Sequence, residues 1–497
     1  MITLLITTPL LAAGATLLFQ DRRAGRWIAL VVSGLATLLS LGLWLSYDLA
    51  AGGFQYLQEF AWLPGLGINL VVGLDGLSLP FVFLAAMLTL SAVLTEWNRA
   101  EAGFFALFLL LLGALTGVFA ALDLIVFFIA FELVLIPMFF IIGLFGYGMR
   151  RYAAIKFLLY SLFGSVFLLV SILAAGMLAA QGGVITFDYR ELMAAASVLQ
   201  ESGYALLLCL GFAVAFLIKL PAVPFHTWLP HAHTEAPTAG SILLAGVLLK
   251  MGGYGLIRFN LGLFPEAMTV LQPALAAIAV VGILYGGYVA IGQTDLKRLV
   301  AYSSVNHMGF TLLGIASLTA LGVGGAVYQM VAHGVITGLL FMLVGMLSAR
   351  THTRTIVAMK GMYTAMPLLG GIMWLAFLGG AGVPGMAGFI GEIKSLMGAF
   401  QNPATSLFAV AGALGILINA GLMLWTIQRV LQGDPTQQMR DNYDLKDMRA
   451  LELAAALPLV VLAVLWGLWP PSLSPYIDAA VAPLLQAMHD LTRVAGF

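Results

Sequence analysis

Residues 213–230 read AVAFLIKLPAVPFHTWLP, an apolar run that carries Lys219 inward and then breaks on Pro221 and Pro224. Each proline removes a backbone donor, so a helix through this stretch is interrupted where the surroundings are apolar. Residues 377–392, FLGGAGVPGMAGFIGE, repeat the arrangement, with Gly379, Gly380, Gly382, Pro384 and Gly385 loosening the chain just before Glu392. The breaks lie about 160 residues apart, at the third or fourth helix of successive five-helix blocks near 103–258 and 268–430. Five is odd, so tandem blocks lie in opposite orientations, and broken helices in such inverted repeats mark ion sites.

Working outward, the 497 residues are 62% hydrophobic and only 9% charged, which predicts a polytopic membrane protein. A bilayer core takes about 20 apolar residues per helix. With that ruler the chain divides into about fourteen spans, near 2–19, 27–47, 75–95, 103–121, 124–146, 153–180, 203–231, 237–258, 268–291, 299–318, 322–348, 366–399, 406–430 and 452–470. The fold class is therefore all-α and polytopic, with two inverted five-helix repeats and two broken helices. Residues 1–102 hold helices 1–3, with the first apolar stretch retained as a span. Residues 103–258 form the first repeat (helices 4–8) and 259–430 the second (helices 9–13). Residues 431–497 hold a cytoplasmic loop, helix 14 and a mildly amphipathic tail. The loops near 48–74 and 431–451 are too short for a soluble domain, so the chemistry lies within the bilayer or at partner surfaces.

Charge placement tests the count. If the loops alternate sides, 16 of the 22 Lys and Arg residues fall on one side, from Arg22, Arg23 and Arg26 to Arg440, Lys446 and Arg449. Only Arg190, Arg258 and Arg493 fall on the other, and Lys219, Lys250 and Lys394 lie within spans. The basic side is cytoplasmic, which puts both termini on the outer side of the membrane. The balance of 22 basic and 22 acidic residues gives no footprint for nucleic acid. The single cysteine, Cys209, excludes an intramolecular disulfide and reads as an apolar filler.

Glu132, Lys219, Lys250 and Glu392 sit deep in apolar stretches. A lone ion there costs several kcal/mol, so each is paired, hydrated or a carrier. Glu132 has no basic residue at helical spacing on its own helix, so a partner comes from another. Lys250 lies about 19 Å along its span, too deep to snorkel. A lysine between burial, which disfavours its charge, and a carboxylate, which favours it, gains or releases a proton when that partner moves. His307 and His333 lie about 12 and 16 Å into adjacent spans, accompanied by Ser303, Ser304, Asn306, Gln329 and Thr337. Together they read as a hydrated relay between Lys250 and Glu392. His226, His231, His233 and Glu235 fit no zinc spacing, and no metal is expected.

The segments KLPAVPFHTWLPHAHTEAPTAGSILLAGVLLKMGGYGLIRF (219–259), QTDLKRLVAYSSVNHMG (293–309), MVAHGVITGLLFML (330–343), RTHTRTI (350–356) and GFIGEIKSL (388–396) closely resemble the M-type antiporter-like subunit of respiratory complex I. LLKMGGYGL is the most specific of them, and the glutamate at 392 fits the M type better than the lysine of the L type. The resemblance covers about 75–430 and implies a proton-translocating subunit of NADH:quinone oxidoreductase, moving protons outward as quinone is reduced elsewhere. Glu132 and Lys219 would form the coupling pair, Lys250 the central relay, His307 and His333 the hydrophilic axis, and Glu392 the acid at the outward end. NADH, FMN, iron–sulfur clusters and quinone would belong to partner subunits, with no redox centre in this chain. Its neighbours would be the L-type and N-type subunits and the lipid bilayer. Lys394 departs from the family pattern and either snorkels outward or sits against Glu392. Two other readings stay open: a subunit of a multisubunit cation/proton antiporter or membrane-bound hydrogenase, and an assembly scaffold whose buried charges only hold helices in register.

Overall fold

The computed structural model describes every residue except 20, 21, 100, 182, 436, 444 and 495–497, and side chains except also those of 19, 22, 438, 442, 489 and 491–494. Two of the sorted charges, Arg22 and Arg493, thus have side chains outside the described residues. The chain opens with α1 (Ile2–Phe19) and α2 (Arg22–Leu45), followed by strands β1 (Gln55–Leu63) and β2 (Ile68–Leu74) and by α3 (Leu79–Thr95). The first block holds α4 (Ala102–Ala120), α5 (Leu124–Leu133), α6 (Leu135–Phe145), α7 (Arg150–Ala179), and the short α8 (Tyr189–Ala194) and α9 (Ala196–Glu201). It continues with α10 (Ala205–Lys219), α11 (Trp228–Glu235), α12 (Thr238–Leu243) and α13 (Leu249–Gly255). The second block holds α14 (Pro265–Ile291), α15 (Leu296–Ala316), α16 (Ala320–Thr351), α17 (Met362–Ala365), α18 (Pro367–Gly380), α19 (Ala387–Gln401) and α20 (Ser406–Val430). The chain closes with α21 (Gln437–Asn442), α22 (Ala450–Leu468) and α23 (Ser474–Val494). Among the described residues, nine helices are long and apolar enough to cross a membrane, with four shorter apolar helices beside them.

Both expected breaks are present, and each is repaired by a buried side chain. After α10 stops at Lys219, the Trp228 indole donates to the Ile218 carbonyl at 2.9 Å. After α18 stops at Gly380, the Asn419 amide donates to the Gly380 carbonyl at 2.6 Å. A carbonyl released from a helix in an apolar setting needs such a donor. Gly382 and Gly385 turn the second break with φ of 69° and 95°. A Cβ at Gly382 would lie 2.6 Å from Glu392 Oε2, so the absence of a side chain makes room for the acid.

Three features depart from the sequence expectation. The loop near 48–74 holds an antiparallel hairpin, β1 against β2, so the all-α expectation gains one small sheet. Its alternation is disguised by aromatic residues and by register irregularities between Gln55 and Gln58 and between Ala61 and Leu63. The span near 237–258 is not a simple α-helix: π-helical turns at Leu244–Leu248 and Leu256–Leu261 flank α13. Arg258, sorted with the outward loop charges, is instead only 2% exposed inside the second π-helical turn. An ionic partner there makes burial tolerable where charge counting assumed water.

Candidate functional site

Glu132 sits on α5, half-buried, and accepts a short hydrogen bond from the Ser165 hydroxyl of α7. One turn earlier on α7, the Ser161 hydroxyl accepts from Lys219 Nζ at 3.2 Å. Acid and amine therefore face each other across two serines. Among the described residues neither charge makes a direct ion pair within 4.0 Å. The Lys219 amine also lies 5.2 Å from the Phe131 ring and 5.2 Å from the Phe157 ring, where aromatic faces attract a cation in an otherwise apolar wall.

Beyond this pair, four more of the candidate residues stand close to one another in succession. Lys250 on α13 is 0% exposed. Its amine donates to the Ala245 carbonyl, in the π-helical turn before it, and meets His333 Nδ1 on α16 at 2.7 Å. The His333 and His307 rings stand 5.5 Å apart between centroids, inclined at 66°. His307, on α15, places Nδ1 2.9 Å from Glu392 Oε1 on α19. With Nδ1 protonated the imidazole donates to that carboxylate, and the Gln329 amide nitrogen at 3.4 Å is a neighbour rather than the donor. Four helices thus bring amine, imidazole, imidazole and carboxylate into one line. Close backbone packing permits it: a Cβ at Gly391 of α19 would fall 2.6 Å from Gln329 Cα of α16.

All six sequence-derived residues are buried or half-buried, but they form two groups. Glu132 and Lys219 make one; Lys250, His333, His307 and Glu392 make the other. Among the described residues no hydrogen bond joins Lys219 to Lys250. Their helices touch beside Lys219, where a Cβ at Gly252 would fall 2.4 Å from the Phe216 carbonyl oxygen. Lys394 points outward, with Nζ 4.0 Å from Asp478 Oδ1 on α23 and 5.9 Å from the Tyr328 ring.

Sequence reasoning missed several polar groups. Ser161 and Ser165 are visible in YSLFGS only as an i, i+4 hydroxyl pair on an apolar helix, a weak signal. At the basic end of the bundle, a cavity of about 470 Å³ is lined by Glu96, Tyr147, Lys297, Arg354 and Glu452, among others. Lys297 Nζ donates to the Ala236 carbonyl at 2.5 Å, and Arg354 pairs with Asp295 at 3.2 Å. His233, three residues before Ala236, is fully buried and stacks on Phe341 at 4.2 Å. A second missed pair, Asp75 with Arg258, closes at 2.6 Å.

Residues 120–419 match the family described as NADH:quinone oxidoreductase/Mrp antiporter, transmembrane. The chain belongs to this family. Within it, the chain is 40% identical to NADH-quinone oxidoreductase subunit M of Rhodobacter capsulatus, over 99% of this chain and 98% of that one. It is also 40% identical to subunit M of Escherichia coli, over 95% and 96% of the two chains. Among solved structures it resembles a chain of respiratory complex I from Thermus thermophilus, with a TM-score of 0.87, 33% identity and 99% coverage of both chains. The Mrp complex of a Dietzia species holds a chain of the same fold, with a TM-score of 0.85 at 20% identity and coverage of 100% and 99%. The family segment contains all six candidate residues, whereas Asp75, the hairpin, α22 and α23 lie outside it.

Proposed function

We infer that the chain is the proton-translocating M-type subunit of an NADH:quinone oxidoreductase. The observation that carries this reading is the succession from Lys250 to His333 by hydrogen bond, from His333 to His307 by adjacent rings and from His307 to Glu392 by hydrogen bond, with Glu132 and Lys219 poised beside it. NADH, flavin, iron–sulfur clusters and quinone act in other subunits of the complex, while the L-type and N-type chains are its antiporter-like neighbours in the membrane. A single cysteine leaves no ligand set for a cluster here.

In the resting arrangement Glu132, acting through Ser165 and Ser161, favours a proton on Lys219. A change from the neighbouring subunit draws the acid away, and the amine passes its proton toward Lys250. Lys250 hands it to His333, and the two imidazoles carry it to Glu392 and the outward surface. Each proton moved outward works against about 2.3 kcal/mol per 100 mV. Hydrogen bonds to charged groups supply about 1.5–3 kcal/mol, so making or breaking one such contact matches the load at that voltage. Larger voltages require several contacts to change together.

This reading includes about fourteen crossings. Nine long apolar helices and four shorter ones support it, and the reading takes α15, whose polar residues lower its apolarity, as the fourteenth. They are arranged as helices 1–3 (1–102), two inverted repeats (103–258 and 259–430) and a terminal segment (431–497), with both termini outward. In the assembled enzyme Lys219→Ala is expected to lower the protons moved per quinone reduced. Unchanged pumping by that assembled variant would sink the proposal.

A further inference from the structure

Lys250 has an unusual mount. The α13 segment that carries it is seven residues long, contains Gly252, Gly253 and Gly255, and lies between two π-helical turns. Moving a π turn by one residue rotates the intervening segment by about 100°, one residue's share of a 3.6-residue turn. The direction of Lys250 toward His333 therefore depends on what holds each end of the segment, and at the near end its own amine is bound to the Ala245 carbonyl and His333.

Arg258, in the second π-helical turn, is held at the far end. Its Nη2 donates to Asp75 Oδ1 at 2.6 Å, and the two side chains are 3% and 7% exposed. The guanidinium lies 4.9 Å from the Phe54 ring, just before β1, and 5.5 Å from the Tyr189 ring of α8. Arg258 Nε donates to the Tyr254 hydroxyl at 3.3 Å, and that hydroxyl donates to the Phe119 carbonyl of α4 at 3.2 Å. Asp75 is equally constrained. It follows β2, and its Oδ1 accepts from the backbone of Leu77 at 3.2 Å and of Ser78 at 3.0 Å. The C-terminal helix is seated on the same turn: a Cβ at Gly76 would fall 1.8 Å from the Tyr476 carbonyl oxygen.

We propose that the Asp75–Arg258 ion pair is a positioning latch that ties the Lys250 helix to the hairpin and α23, and so sets the register in which Lys250 meets His333. This rests on the relay reading above. A buried pair resists reorientation because each charge would lose its counter-ion on moving, and its other contacts, backbone N–H groups for Asp75 and aromatic rings with a tyrosine hydroxyl for Arg258, carry no opposite charge. Both residues act through Lys250 and take no proton themselves.

The test uses the whole complex in lipid and a variant that leaves no lone buried charge, Asp75→Asn with Arg258→Gln. Two quantities are read: amide hydrogen exchange of residues 244–261, and protons moved per quinone reduced, with Lys250→Ala as reference. The double variant is expected to raise exchange in that segment about tenfold and to lower the proton ratio while quinone reduction continues. Arg258→Lys, which keeps the charge and loses the guanidinium geometry, should fall between the double variant and the native protein in both quantities. If the double variant does not assemble, Arg258→Lys alone should still show exchange above native, because it loses the guanidinium geometry. Native exchange in the segment, or raised exchange with a native proton ratio when Lys250→Ala lowers it, would overturn the latch. A full proton ratio in Lys250→Ala itself would remove the relay reading instead, and the exchange result would still decide whether the pair holds the helix.

Discussion

A serine hydroxyl donates one hydrogen bond and accepts two, which makes Ser161 and Ser165 more than spacers between Lys219 and Glu132. One accepts from the amine at 3.2 Å and the other donates to the carboxylate. Replacing both by alanine removes hydrogen bonds to two charged groups, each worth about 1.5–3 kcal/mol. The double variant should therefore slow coupled proton movement by roughly tenfold or more in an assembled enzyme, and threonine at both positions should return most of it. Proton uptake by inverted vesicles, normalised to quinone reduction, reads the outcome; undiminished pumping would rule the serines out. The six titratable residues were legible in the sequence because charge in an apolar run is costly and stands out. The serines were not, since a hydroxyl in a membrane helix can satisfy itself on its own backbone: the Ser161 carbonyl, 3.0 Å from the Ser165 hydroxyl, is an alternative acceptor to Glu132.

At the level of the element, the broken helices are held by donors far from the proline and glycine runs that announce them. Trp228 serves the first break and Asn419 the second. Trp228→Phe and Asn419→Leu each keep an apolar shape and orphan a buried carbonyl, at a cost of about 1–3 kcal/mol. Each is expected to lower the thermal stability of the purified complex without changing its subunit content. An unshifted melting transition in both variants would mean that the breaks are satisfied otherwise. The breaks themselves were readable because Pro221, Pro224, Pro384 and their glycine neighbours act on the backbone directly. The π-helical turns around Lys250 were not readable, since SILLAGVLLK carries no residue that forbids an ordinary α-helix. Arg258 was assigned to a loop for a related reason: its partner Asp75 is 183 residues away.

For the whole molecule, the sidedness of charge makes the proposed orientation testable with the chain's own chemistry. Cys209 is buried and is the single cysteine. In a Cys209→Ala background, Gly65→Cys at the hairpin tip should react with an impermeant thiol reagent from outside the cell. Val357→Cys, between α16 and α17 and 82% exposed, should react only from the cytoplasmic face; the reverse pattern would invert the topology. The second-half contacts have a consequence of another kind. Lys250, His333, His307 and Glu392 come from four neighbouring helices rather than from successive turns of one. By helical rise His307 sits about 12 Å from the cytoplasmic start of its span and His333 about 16 Å from the outer start of the next, so in a core of about 30 Å both lie near mid-depth. Under the relay reading, a charge that hops sideways between the two imidazoles crosses little of the electric field of the membrane, so that middle step is nearly equipotential. The voltage is then felt toward the two ends of the relay, where a proton is taken up and where it leaves.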